Sequence, residues 1–149
     1  MKTALITGAS SGIGEIFAKE LASRKTNLVL VARSEDRLQQ LANQLQSQYQ
    51  IQADVIVQDL TAPAATNSIF ETVFQKGLTI DLLVNNAGFG DYGNFTERTL
   101  EKQVNMIQLN ITALVELTHL FLPRMQQNKS GAIINVSSIG GFQPLPYMS

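Results

Sequence analysis

A glycine-rich junction between an apolar run and a helical pattern constrains this chain more than any other feature. Ala4-Leu5-Ile6 gives way to Thr7-Gly8-Ala9-Ser10-Ser11-Gly12-Ile13-Gly14, and an amphipathic pattern begins at Ile13. Glycines in a strand-to-helix turn let backbone come close to a bulky anion, and the first helical turn aims unpaired N–H groups at it. A phosphate-bearing nucleotide is the natural occupant, because strand and helix flank the glycines on the correct sides.

The rest of the chain repeats the alternation. Lys2–Thr7 reads as a strand, followed by a helix with Ile13, Ile16, Phe17 and Leu21 on one face. Asn27–Arg33 is a continuous apolar run, as expected of a parallel strand covered on both faces. Ser34 is placed to cap a second helix striped by Leu38, Leu41 and Leu45. Ala53–Val57 is a third strand, and Thr61 with Pro63 opens a helix burying Ile69, Val73 and Phe74. Asp81–Asn85 is a fourth strand. A long helix of roughly Thr99 to Gln127 follows, with a stripe of Val104, Ile107, Ile111, Leu114, Val115 and Leu122. Ala132–Ser137 is the fifth strand, and residues 140–146 form a loop.

Five strands separated by helices, with no hairpin signal, define an α/β chain with a doubly wound parallel sheet joined by right-handed crossovers. Ligands of such sheets bind beyond the carboxyl ends of the strands. Those ends are Thr7–Ser11, Arg33, Asp59, Asn85–Gly88 and Ser137–Ser138, so the chemically interesting residues fall on one rim.

Composition excludes several classes. The 149 residues suit one domain, and 44% hydrophobic with 15% charged content suits a packed core. A net charge of −1 carries no nucleic-acid footprint. The chain has no cysteine, so it holds neither disulfide nor thiolate metal site. No uninterrupted apolar run reaches membrane-span length and no signal peptide is recognisable, so no membrane partner and a cytoplasmic location are expected.

With these residues in view, the chain resembles the short-chain dehydrogenase/reductase family over its whole length. Thr7-Gly8-x-x-x-Gly12-x-Gly14 has that family's glycine spacing, and Asn85-Asn86-Ala87-Gly88 resembles its second signature. Asn110 falls where the long-helix asparagine falls, and Asn135-Val136-Ser137-Ser138 resembles the strand of the active-site serine. The resemblance implies a Rossmann-like domain and an enzyme interconverting an alcohol and a carbonyl with a nicotinamide cofactor. It places Gly8, Ser10, Ser11, Gly12, Ile13, Gly14, Asn86, Ala87 and Gly88 at the cofactor, with Asp59 and Leu60 flanking adenine. Ser138 would donate to the substrate carbonyl and Asn110 would help hold a proton-relay water. Homo-oligomers are frequent in the family, which implies one here at full length, with a small-molecule carbonyl or alcohol as the other partner.

Arg33 bears on which nicotinamide cofactor. An acidic residue about 20 positions past the glycine turn would bond a ribose 2′-OH. Here Ala32 ends the strand and Arg33 follows, with Arg37 a helical turn on, and guanidinium suits a 2′-phosphate. NADP is the expected cofactor. Each residue also has a plainer reading: Arg33 as a solvated surface arginine, Asp59 as a loop residue before Thr61, and Asn85–Gly88 as a turn. Asn110 can satisfy a helix carbonyl, Ser137 competes with Ser138, and His119 has nothing in sequence to pair with.

The family's Tyr-x-x-x-Lys does not occur in these 149 residues. The family's domain is longer, which gives the expectation of a domain truncated after about five strands and inactive alone. A non-catalytic NADP-binding sensor on the same fold is the alternative.

Overall fold

A computed structural model describes residues 1–148. Five parallel strands, β1 (Thr3–Thr7), β2 (Asn27–Ala32), β3 (Ala53–Val57), β4 (Leu82–Asn85) and β5 (Ala132–Asn135), form one sheet in the order β3-β2-β1-β4-β5. Helices α1 (Gly12–Ser23), α2 (Glu35–Tyr49), α3 (Ala65–Gln75), α4 (Leu100–Ile107) and α5 (Ala113–Gln127) connect them. The doubly wound sheet expected from the alternation is what the chain forms. Winding runs outward from β1 through β2 to β3, then returns to β4 and β5, so the switch point lies between β1 and β4.

The alternating pleat sorts the strands' apolar side chains into two cores. Leu5, Val29, Val31 and Leu83 face one layer, with Ile69 of α3 and Leu117 and Phe121 of α5. Ala4, Ile6, Leu28, Leu30 and Val84 face the other, with Leu38, Leu41 and Leu45 of α2 and Ala18 and Ala22 of α1. The central strand β1 is buried throughout, whereas Ala132, Ile134 and Asn135 of the edge strand β5 are exposed.

Helix faces depart from the sequence expectation in an instructive way. Helix α1 buries Gly14, Ala18 and Ala22 rather than Ile13 and Ile16, which are 59% and 63% exposed. Small residues let the helix lie close to the sheet, so close approach outweighs side-chain hydrophobicity there. Phe74 is exposed, with the Arg124 guanidinium 4.7 Å from its ring centre. Helix α3 starts at Ala65, not at Pro63, because the carboxylate of Asp59 caps a turn at Thr61 and Ala64 takes a left-handed conformation (φ 57°). Ser34 precedes α2 as expected but its side chain makes no capping bond.

Residues Leu100–Gln127 are one helical run holding an 18-residue window of mean hydropathy 1.2, enough by length and composition alone to cross a membrane. Its apolar residues form two faces. Ala113, Leu117, Phe121 and Met125 enter the core. Leu100, Val104, Ile107, Ile111 and Val115, four of which the sequence pattern assigns to the core stripe, lie more than half exposed. Between α4 and α5, Gln108–Thr112 widen into a π-helical turn. Such turns recur where a helix carries a functional side chain, and Asn110 sits in this one.

Candidate active site

The carboxyl ends of β1 and β4 are stitched together by Thr7, Asn86 and their neighbours. The Thr7 hydroxyl accepts from the backbone N–H groups of Asn86 and Ala87, both at 3.0 Å. In return the Asn86 side-chain amide donates to the carbonyl of Thr7 at 3.0 Å and of Gly8 at 3.4 Å. A Cβ on Gly8 would stand 2.9 Å from that amide, and one on Gly14 would collide with the Gly8 carbonyl. These two glycines are therefore required for packing between the turns. Gly12 differs: its φ is +58° and nothing lies within 4 Å of a Cβ position, so its space is open outward.

That open space faces the start of α1. Ser11 is extended and no side chain caps the helix. An uncapped helix start carries partial positive charge and free N–H donors. Glu15 in the first turn would oppose an anion, but Lys19 pairs with it at 2.5 Å. The arrangement fits a pyrophosphate, which would rest on the backbone of residues 8–14.

The rim continues outward from β1. Arg33, just past β2, has a largely exposed side chain 4.0 Å from Asp59, just past β3, and Arg37 is exposed one turn into α2. The Asp59 carboxyl is held below the usual carboxylate range, chiefly by the Thr61 backbone N–H, against burial, with help from the Thr61 hydroxyl and Arg33. One carboxylate oxygen is committed to Thr61 and the other faces Arg33. Leu60 spends its side chain on the core, so only its backbone is left for a nucleotide.

On the other side of β1, Asn85 is 4% exposed and donates to Asn135 at 2.9 Å and Thr118 at 3.2 Å, joining β4, β5 and α5. Its amide oxygen has no protein partner and borders a cavity of about 10 Å³, roughly the room of one water molecule. Asn110 uses both ends of its carboxamide on one residue: the oxygen accepts from the Phe89 N–H at 3.0 Å and the nitrogen donates to the Phe89 carbonyl at 2.8 Å. It thereby holds the loop that leaves Gly88. The Ser138 hydroxyl accepts from the Gly140 N–H at 3.1 Å, which leaves its own proton free to donate. His119 is exposed on α5.

Thr7, Asn85 and Asn135 belong to the motifs read in the sequence, but the hydrogen bonds by which they and Phe89 tie the rim together were not foreseen there. Threonine at a strand end and asparagine in a strand were the available signals, since each must find a partner when buried.

A parallel sheet with a glycine turn and an uncapped helix at its switch point is the arrangement of the dinucleotide-binding class of α/β folds. Comparison narrows the class. The family model described as short chain dehydrogenase matches residues 2–149, and the chain belongs to that family. An uncharacterised oxidoreductase of Staphylococcus epidermidis is 36% identical over 143 residues, covering 96% of this chain and 60% of the relative. The protein named inactive hydroxysteroid dehydrogenase-like protein 1 of Homo sapiens is 35% identical over 150 residues, covering 98% of this chain and 44% of its own length. Among solved structures, a short-chain dehydrogenase from Sphingobium yanoikuyae in complex with NADPH is 40% identical with a TM-score of 0.93, covering 100% of this chain and 58% of that one. The chain thus spans about half to three fifths of the length of the relatives it matches.

Proposed function

We propose that this chain holds NADP(H) for an oxidoreductase that interconverts an alcohol and a carbonyl. The observation that carries the reading is the open, uncapped start of α1 over Gly12, in line on the same rim with Arg33. Bound NADPH supplies the hydride. Of this chain's residues, Gly8–Gly14 bind the pyrophosphate and Arg33, with Arg37 nearby, holds the 2′-phosphate. Asp59 and the Leu60 backbone border adenine, and Asn86–Gly88 form the floor. Ser138 donates a hydrogen bond to the carbonyl oxygen, and Asn110 acts by holding Phe89.

The test is a pair of fluorescence titrations. NADPH is expected to bind at least about tenfold tighter than NADH, since charge-assisted bonds to a phosphate are worth about 1.5–3 kcal/mol. Arg33→Asp should abolish that preference, and an unchanged preference would sink the assignment of Arg33. Because these 149 residues contain no Tyr-x-x-x-Lys, the reading includes binding without turnover. Steady oxidation of NADPH by this chain with a ketone would overturn that part. A second reading, a non-catalytic NADP-binding protein, is supported by the likeness to the relative named inactive. It differs in expecting no turnover from a longer form that carries the tyrosine and lysine.

The reading also takes the protein as a homo-oligomer, joined through the open face of α4 and α5. Val104, Ile107, Ile111 and Val115 repeat every three or four residues along that face, which suits self-association of two helical ridges. Ile111→Lys should halve the sedimenting mass and leave the melting temperature within a few degrees. An equal mass in the variant would count against the face.

A further inference from the structure

Two loops that leave the strand ends on either side of the candidate active site are fastened to each other. Tyr92, beyond β4, forms an isolated antiparallel bridge with Met148, beyond β5. The Gly93 N–H donates to the Tyr147 carbonyl at 2.7 Å, and the Met148 N–H donates to the Leu145 carbonyl at 3.2 Å. The Tyr92 and Tyr147 rings meet edge to face, with centres 5.9 Å apart at 61°. Tyr147 has φ +64°, a conformation that a bulky residue keeps only where its surroundings hold it.

The same loop is anchored from its far side. Asp91 accepts from Lys102 at 2.6 Å and pairs with Arg98 at 3.3 Å, while the Arg98 guanidinium donates to the Tyr92 carbonyl. Lys102, then Tyr92 and Arg98, hold the Asp91 carboxyl below its usual range despite burial. Backbone restraint is thus heavy around side chains that stay open: Tyr92 is 66%, Tyr147 59% and Met148 46% exposed. A rigid, solvent-facing aromatic pair has already lost the backbone freedom that binding would otherwise remove.

This fastening is continuous with both candidate catalytic residues. Ser138 bonds Gly140, a Cβ on Gly140 would meet Leu145 at 2.9 Å, and Leu145 holds Met148. From the other end, Asn110 holds Phe89, and a Cβ on Gly90 would meet Met148 at 3.2 Å. The glycines therefore leave the space into which Leu145 and Met148 pack. Charge completes the picture. Residues 137–148 contain no Lys, Arg, Asp or Glu, and the nearby cations Arg98 and Lys102 are already taken by Asp91. Among the described residues, Tyr92, Tyr147 and Met148 thus form an uncharged surface.

We infer that Tyr92, Tyr147 and Met148 form the substrate wall of the site and select an uncharged, bulky apolar ketone or its alcohol over small or anionic carbonyl compounds. The inference rests on the proposed site for its cofactor and for Ser138, but the wall can be tested by itself.

The experiment titrates 2-acetylnaphthalene into the chain by saturation-transfer NMR, with and without NADPH, and repeats it with pyruvate. Saturation transfer from the tyrosine rings to the naphthyl protons is expected, and none to pyruvate. Tyr92→Ala should weaken the aryl ketone about tenfold, the size expected when an anchoring aromatic is truncated at an interface. Tyr92→Phe should retain the affinity, because ring area and not the hydroxyl makes the contact. NADPH affinity should be unchanged in both variants. Unaltered ketone binding in Tyr92→Ala, no ketone binding under either condition, or binding of pyruvate in its place would each overturn the wall. Loss of NADPH binding with Tyr92-dependent ketone binding intact would overturn the cofactor reading and leave the wall standing.

Discussion

Gly14→Ala is expected to cost about 3 kcal/mol or more of folding stability and to abolish measurable NADPH binding. A Cβ at this position would overlap the Gly8 carbonyl and stand 2.6 Å from the Asn86 amide. Backbone carbonyl cannot rotate away as a flexible side chain can, so α1 must back off the sheet. That shift would open the layer formed by Ala18, Ala22, Ile6 and Leu30. Gly12→Ala is the control. Its Cβ meets nothing, so only the left-handed φ of +58° is penalised, by about 1 kcal/mol. Urea unfolding of the two variants should separate them clearly, and equal midpoints would contradict the close approach of the turns.

Thr7→Val should cost about 4 kcal/mol, although it preserves shape and β-branching. The hydroxyl is the acceptor for both the Asn86 and Ala87 N–H groups, and Thr7 is 2% exposed. Two donors would lose their partner inside the protein, each at about 1–3 kcal/mol. Thr7→Ser keeps the oxygen and should recover most of the loss. The comparison isolates the hydroxyl from the methyl group. If Thr7→Val unfolded at the same denaturant concentration as the parent, the stitch between β1 and β4 would be mechanically irrelevant.

Strand positions and their parallel pairing were legible because buried parallel strands are apolar almost without interruption, as Asn27–Ala32 shows, whereas the order of the strands was not read. The glycine turn and Asn85–Gly88 were legible as rim residues because both follow such strands. The helices were less so. Ile13, Ile16, Val104 and Ile111 match a core pattern by hydrophobicity, yet packing distance decided for Gly14 and Ala18 on α1. On the long helix a second apolar face escaped notice because one period of 3.6 fits either face. The pairing of Asn110 with Phe89 was invisible because it depends on a π-helical turn, which shifts side chains relative to ordinary helical spacing. Tyr92 and Met148 lie 56 residues apart in number and meet only through two loops, a contact no local pattern announces.

The strand order has a consequence for how the chain is made. One flank of β1 pairs with β2, which emerges from the ribosome almost at once. The other flank pairs with β4, whose first residue is Leu82. At ~5–20 residues per second, the central strand waits several seconds with that flank bare, its Thr7 hydroxyl without the amides it will bind. During that interval the nascent half-sheet is open to pairing with a neighbour on the same message. Slowing translation between residues 57 and 82 would lengthen the exposure, and a chaperone that shields strand edges would matter most in that window.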